Sequence, residues 1–298
     1  MRRRHFVQSL ATLPVLGAWN AHGVAAPGGK CQLTGIGACD WTLRQTANPA
    51  SLDVAKEIGL DGVQVDFGHT PAADGSLPLH DPKLQEEFLA KSQATGIAIP
   101  SLALGVLNSI AYKSEASAEK WVLDSVPVAV KLKTPVVLLA FFGKGDLRQD
   151  EAGIAATIAR LKTLAPKAEA AGITYGIESW LKVADLERIL DAVKSPTIKV
   201  YYDVGNMQKE SEDVHAAILR LGRERICEVH AKDYDDLYGK GSMDFTRVKE
   251  ALDGINYRGW IHMEGIKIPH GVVQDMQFDL RHLRSIFQPE RLSKTAPS

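Results

Sequence analysis

The stretch Ile173–Asp203, ITYGIESWLKVADLERILDAVKSPTIKVYYD, holds a strand, a helix and a second strand in that order. In Ile173-Thr174-Tyr175-Gly176-Ile177-Glu178, bulky apolar residues alternate with small or polar ones, the period-2 pattern of a strand. Val183–Lys194 is rich in helix formers, and Ile198–Asp203 returns to alternation. Two strands joined by a helix run parallel, because the crossover brings the chain back to the same end of the sheet. Both strands end on a carboxylate, Glu178 and Asp203.

Outward from this unit the same alternation repeats. Strands are expected to centre on Leu33–Gly37, Gly62–Phe67, Ile97–Leu104 and Val136–Phe142 before it, and on Ile226–Lys232 and Gly259–Glu264 after it. Helices are expected over Pro82–Thr95, Glu115–Lys133, Glu151–Ala171 and Glu210–Arg223, with Gly96 and Gly172 as stops. Eight such units fill the roughly 250 residues of a closed (β/α)8 TIM barrel, the fold expected for residues 27–298 as one domain. An open doubly wound sheet fits less well, because no Gly-x-Gly-x-x-Gly follows an early strand.

Of the 298 residues, 45% are hydrophobic and 24% charged, enough apolar material for a large core. Lys and Arg total 35 against 36 Asp and Glu, so no global positive field draws the chain onto nucleic acid. Arg2, Arg3 and Arg4, an apolar run from Leu10 to Trp19 and Val24-Ala25-Ala26 read as an export signal over residues 1–26. The Arg3-Arg4-His5-Phe6-Val7 arrangement resembles the twin-arginine type, which implies a periplasmic or secreted protein with no stable membrane association after processing. Cys31, Cys39 and Cys227 are odd in number and lack finger spacing, which argues against a disulfide scaffold and structural zinc.

The chemistry follows from parity in the last four strands, since residues two apart share a face. Glu178 shares its face with Thr174 and Gly176, Asp203 with Lys199 and Tyr201, His230 with Glu228, and Glu264 with Trp260 and His262. The alternate set, which includes Tyr202, Cys227, Val229, Ile261 and Met263, should face the helices. Glu178, Asp203, His230 and Glu264 therefore point into the barrel at the C-terminal strand ends, where such barrels build their sites. Three carboxylates and an imidazole suit one divalent ion, Mn, Mg, Co or Zn. The alternative is that Lys199 or Lys232 neutralises them as ordinary buried ion pairs.

With these motifs in view, the chain resembles the xylose isomerase-like TIM barrel superfamily of sugar isomerases and epimerases. Ile177-Glu178-Ser179, Tyr202-Asp203-Val204-Gly205-Asn206, Val229-His230-Ala231-Lys232-Asp233 and Gly259–Glu264 resemble that family's four metal-binding strand ends, and Gly239–Phe245 resembles its loop after the seventh strand. The resemblance implies proton abstraction from a small carbohydrate to give an enediolate, with Glu178 and Glu264 as the acid–base pair. It implies that Lys232 orients a substrate oxygen. Asn206 and Ala184 stand where ketose 3-epimerases often carry His and Glu, which puts that strict activity in doubt.

Trp41, Phe67, Phe141, Phe142 and Trp180 follow strand ends and are candidate apolar walls for a sugar, with His69 and His270 as loop contacts and Asp66 as a support. Export favours an unphosphorylated keto-sugar. Rival readings are a metal-dependent lyase acting on a keto-glycoside by β-elimination and a non-catalytic metal- or sugar-binding barrel. A DNA-repair endonuclease is disfavoured by the near-neutral charge and scattered His. A homo-oligomer is compatible with the sequence.

Overall fold

The computed structural model describes residues 30–264 and 267–293. Eight parallel strands close into a barrel in chain order: β1 (Gln32–Cys39), β2 (Gly62–Asp66), β3 (Ser101–Leu104), β4 (Val136–Phe141), β5 (Thr174–Ser179), β6 (Ile198–Asp203), β7 (Ile226–Ala231) and β8 (Arg258–Met263). β8 pairs back onto β1 from Gln32 with Arg258 to Ala38 with Met263. The expected fold is the observed one. The expected leader at residues 1–26 lies outside the described residues, among which no helix is long and apolar enough to cross a membrane.

Ten α-helices lie among the described residues: α1 (Ala50–Ile58), α2 (Pro82–Thr95), α3 (Ala116–Leu132), α4 (Glu151–Ala171), α5 (Val183–Val193), α6 (Val204–Lys209), α7 (Val214–Arg225), α8 (Phe245–Gly254), α9 (Val272–Phe287) and α10 (Pro289–Ser293). Local chemistry sets their ends. Asp81 and Asp150 cap α2 and α4 by accepting the backbone N–H of Lys83 and Gly153, and Gly96 and Gly172 close the same helices at φ 77° and 68°. The helix expected over Glu210–Arg223 begins later, as α7 at Val214, because Ser211 turns the chain at φ 61° and Asp213 caps α7; the short α6, capped by Asp203 directly after β6, precedes it and was not expected.

The main core fills the space between the outer strand faces and the helices, as Val137, Leu139, Ile177, Tyr202 and Val229 show. A second cluster of Ala103, Val136, Leu138, Ala140 and Tyr201 fills the barrel itself. Near the start of β8, the partly buried Trp260 ring takes the room left by Gly35 and Gly62; a Cβ at Gly35 would meet the indole. His262 stacks on Trp260, with ring planes 16° apart, and its Nδ1 is hydrogen-bonded to the Tyr201 OH at 2.8 Å.

Two sequence expectations change here. β3 begins at Ser101, because Pro100 offers no N–H to a ladder and leaves the earlier residues with a single bridge, Gly62 to Ala98. Cys227 does not join Val229 on the outer face. The β6–β7 register shifts so that Val200 pairs with Ile226 and Tyr201 with Glu228, and the extra residue, Cys227, packs with the Tyr201 cluster inside.

Candidate metal and sugar site

Parity and register bring Glu178, Asp203, His230 and Glu264 together at the C-terminal mouth, with one potential ligand atom from each lying within 4.8 Å of all the others. His230 Nδ1 lies 3.1 Å from Glu178 Oε1, 3.5 Å from Glu264 Oε2 and 3.8 Å from Asp203 Oδ2. Lys232 donates to Glu264 Oε2 at 2.7 Å and sits 3.4 Å from Asp203 Oδ2, an oxygen that accepts no hydrogen bond. Asp203 spends its other oxygen on the backbone N–H of Asn206.

The electrostatics favour added positive charge. Burial pushes the Asp203 carboxyl well above the ordinary range, with Glu264 and Glu178 adding to this and Lys232 opposing it. Burial also acts to raise Glu264, but Lys232 and His230 outweigh it and hold that group at about 2. With all three carboxylates ionised, as a bound cation would favour, one ammonium would leave two negative charges facing the Nδ1 edge of the imidazole. A divalent cation fits this donor set in charge and in ligand type, three hard oxygens and one nitrogen.

Beside the quartet lies a cavity of about 310 Å³. Trp41, Phe142 and Trp180 give it apolar walls, and Asp66, His69, Asn108, Asn206, Lys232 and Tyr234 line it with polar groups. Trp41 Nε1 donates to Glu264 Oε1 at 3.1 Å, and Asn206 donates to Glu178 at 3.4 Å while accepting from the Tyr234 hydroxyl at 2.5 Å. Asp66 is buried and lies 3.5 Å from His69 Nε2. Both halves of the earlier expectation for Lys232 meet in one atom, since its ammonium lines the cavity and pairs with the carboxylates. Lys199 does not reach them and borders a pocket with Val136 and Arg258.

Three expected contacts fall elsewhere. Phe141 and Phe67 are fully buried in the outer core, Phe141 against Tyr112 and Phe67 against His80. For Phe141 the reason is parity: it follows Val137 and Leu139 outward, while Ala140 and Phe142 face in. His270 bonds Asp275 at 2.9 Å and does not line the cavity.

The reading from sequence missed Gln64, Cys39, Tyr234 and Asn108. Gln64 was findable, since a polar residue shares parity with Asp66 in the otherwise apolar Gly62-Val63-Gln64-Val65-Asp66. Tyr234 and Asn108 lie in loops with no period to read.

The family described as xylose isomerase-like TIM barrel matches residues 52–286, which spans β2 to β8 and all four quartet residues. The chain belongs to that family. It is 25% identical over 226 residues to the 2-epi-5-epi-valiolone 7-phosphate 2-epimerase of an Actinoplanes species, covering 74% of this chain and 82% of the relative. Among solved structures, the fold resembles the 3-keto-D-glucoside 4-epimerase of Escherichia coli, with TM-score 0.70, 18% identity and coverage of 84% of this chain and 98% of that one. It also resembles the D-psicose 3-epimerase of Clostridium cellulolyticum crystallised with D-tagatose, with TM-score 0.71, 16% identity and coverage of 85% and 99%.

Proposed function

We propose that this protein is a divalent-metal-dependent sugar epimerase or isomerase acting on an unphosphorylated keto-sugar or related carbohydrate. The observation that carries the reading is the convergence of Glu178, Asp203, His230 and Glu264 beside a cavity walled by Trp41, Phe142 and Trp180. The curated relative and the two solved structures, all epimerases by name, support the reaction class.

A divalent cation held by the quartet would supply positive charge to substrate oxygens on which negative charge develops. Glu178 and Glu264 come from different strands and both line the cavity, so a substrate carbon between them meets one carboxylate on each side. One takes the proton from the carbon beside the ketone, leaving an enediolate, and the other returns a proton to the opposite face. Lys232 and Asn206 orient substrate oxygens, while the indole and phenyl faces exclude water and stack on the sugar.

The missing phosphate is argued from charge. Among the described lining residues the one Lys or Arg is Lys232, already engaged by two carboxylates. The curated relative carries a phosphate in its name, so the two chains are expected to part at this position. The proposed twin-arginine leader points the same way, toward a periplasmic protein that meets free sugars.

The test is incubation of the metal-loaded protein with a panel of ketoses and 3-keto-glycosides in D2O. The reading expects one deuterium at the inverted carbon with the carbon skeleton intact. Release of an aglycone would replace it with the β-elimination lyase, and no exchange on any substrate would leave a metal- or sugar-binding barrel.

A further inference from the structure

Gln64 sits in the middle of β2, fully buried, and belongs to neither the quartet nor the cavity wall. Its Oε1 lies 2.7 Å from His230 Nε2, on the side of the imidazole away from the carboxylates, and the Cys39 thiol donates to the same oxygen at 3.3 Å. A neutral imidazole carries one proton, and an acceptor at one nitrogen holds that proton there and leaves the lone pair on the other. The other nitrogen, Nδ1, is the atom that faces Glu178, Glu264 and Asp203.

We propose that Gln64 is the residue that makes His230 a metal ligand, by accepting its Nε2 proton and so presenting the Nδ1 lone pair to a divalent cation. The inference rests on the metal reading above and adds to it a positioning residue.

The amide orientation follows from its neighbours. Turned about, the side chain would set an N–H against Nε2, drive the proton onto Nδ1 and place a hydrogen where the lone pair must point. Both groups that contact Oε1 can donate, Cys39 through its thiol and His230 through Nε2. Gln64 Nε2 has no hydrogen-bond partner. A neutral amide also serves where a carboxylate would add a further negative charge next to Glu178, Asp203 and Glu264.

The experiment titrates Co2+ and Zn2+ against a competing chelator in the full chain, in wild type, Gln64→Met and Gln64→Glu, with circular dichroism as the check on folding. Long-range 1H–15N spectra of the Zn2+-loaded wild type report which ring nitrogen of His230 carries the proton. Gln64→Met keeps the length and removes the acceptor, and should weaken both metals about 10- to 100-fold, the usual range for loss of such a partner. Gln64→Glu, when ionised, can only accept, and in that form should bind no more weakly than wild type. The spectra should show the proton on Nε2.

Gln64→Met binding within about twofold of wild type would overturn the role of Gln64 and leave the metal reading standing. A proton on Nδ1, or tenfold weaker binding by Gln64→Glu, would do the same even if Gln64→Met fails to fold. Wild type that binds neither metal would overturn both.

Discussion

Lys232 and Glu264, the residues that follow the ends of neighbouring strands β7 and β8, are joined Nζ to Oε2 at 2.7 Å, which places a fixed ammonium at the edge of the quartet. The carboxylates of Asp203 and Glu264, helped by Glu178, raise the Lys232 pKa against the effect of burial, so the charge is permanent at working pH. Lys232 thus supplies part of the positive charge that a cation would complete.

Replacing it separates the two contributions. Removing one partner of a buried pair costs about 3–5 kcal/mol, so Lys232→Met should lower the Tm of chelator-treated protein clearly. Added Mn2+ or Co2+ should then raise Tm by more than it does in wild type, because the cation meets a larger uncompensated negative charge. Thermal scans with and without metal check this, and equal rises in both proteins would contradict it.

Trp180 and Phe141 look alike in sequence and should behave oppositely. Trp180 lines the cavity, so Trp180→Ala should raise KM with little change in Tm. Phe141 is fully buried against Tyr112, and Phe141→Ala should cost about 3–5 kcal/mol of stability by opening a core cavity. Denaturant melts and steady-state kinetics on the two variants distinguish the roles.

Asp279 on α9 tests the electrostatics away from the site. It accepts the backbone N–H of Tyr238 at 2.9 Å, yet burial pushes its carboxyl from the ordinary 3.8 up to about 7, with the Tyr238 bond opposing and Asp275, Asp233 and Asp236 adding. A folded-state pKa raised this way gives stability that is complete below 3.8 and is lost as pH rises through about 7. Asp279→Asn can still accept from Tyr238 and carries no charge. It should raise Tm at about pH 8 and leave it nearly unchanged at about pH 4, and a gain that does not grow with pH would contradict the account.

What could be read from the sequence was whatever repeats with a period. Glu178, Asp203, His230 and Glu264 were legible because parity in four strands and the rule that barrel sites sit at C-terminal strand ends both applied to them. Where a single residue is inserted into the pairing, as Cys227 is at the β6–β7 shift, the same parity gives the wrong face. Phe141 was misplaced because strand-end position was weighed above its register with Val137 and Leu139. The cavity's Tyr234 and Asn108 come from loops, whose course is set by tertiary hydrogen bonds such as Asn108 Oδ1 to the N–H of Phe142, and these have no sequence period. The short α6 has no expected counterpart for a related reason: Asp203 reads as a ligand candidate, and its second task, capping α6, carries no period.

The most direct test of the central claim is metal content by mass spectrometry on the purified protein after dialysis against a weak chelator, with Glu178→Gln and His230→Ala beside wild type. The account predicts close to one equivalent of a divalent transition metal or Mg2+ in wild type, and loss of most of it in both variants while their circular dichroism stays that of the barrel. Wild type that retains no metal and shows no rise in Tm on adding Mn2+, Co2+, Mg2+ or Zn2+ would contradict it, and would make the quartet a set of buried ion pairs centred on Lys232.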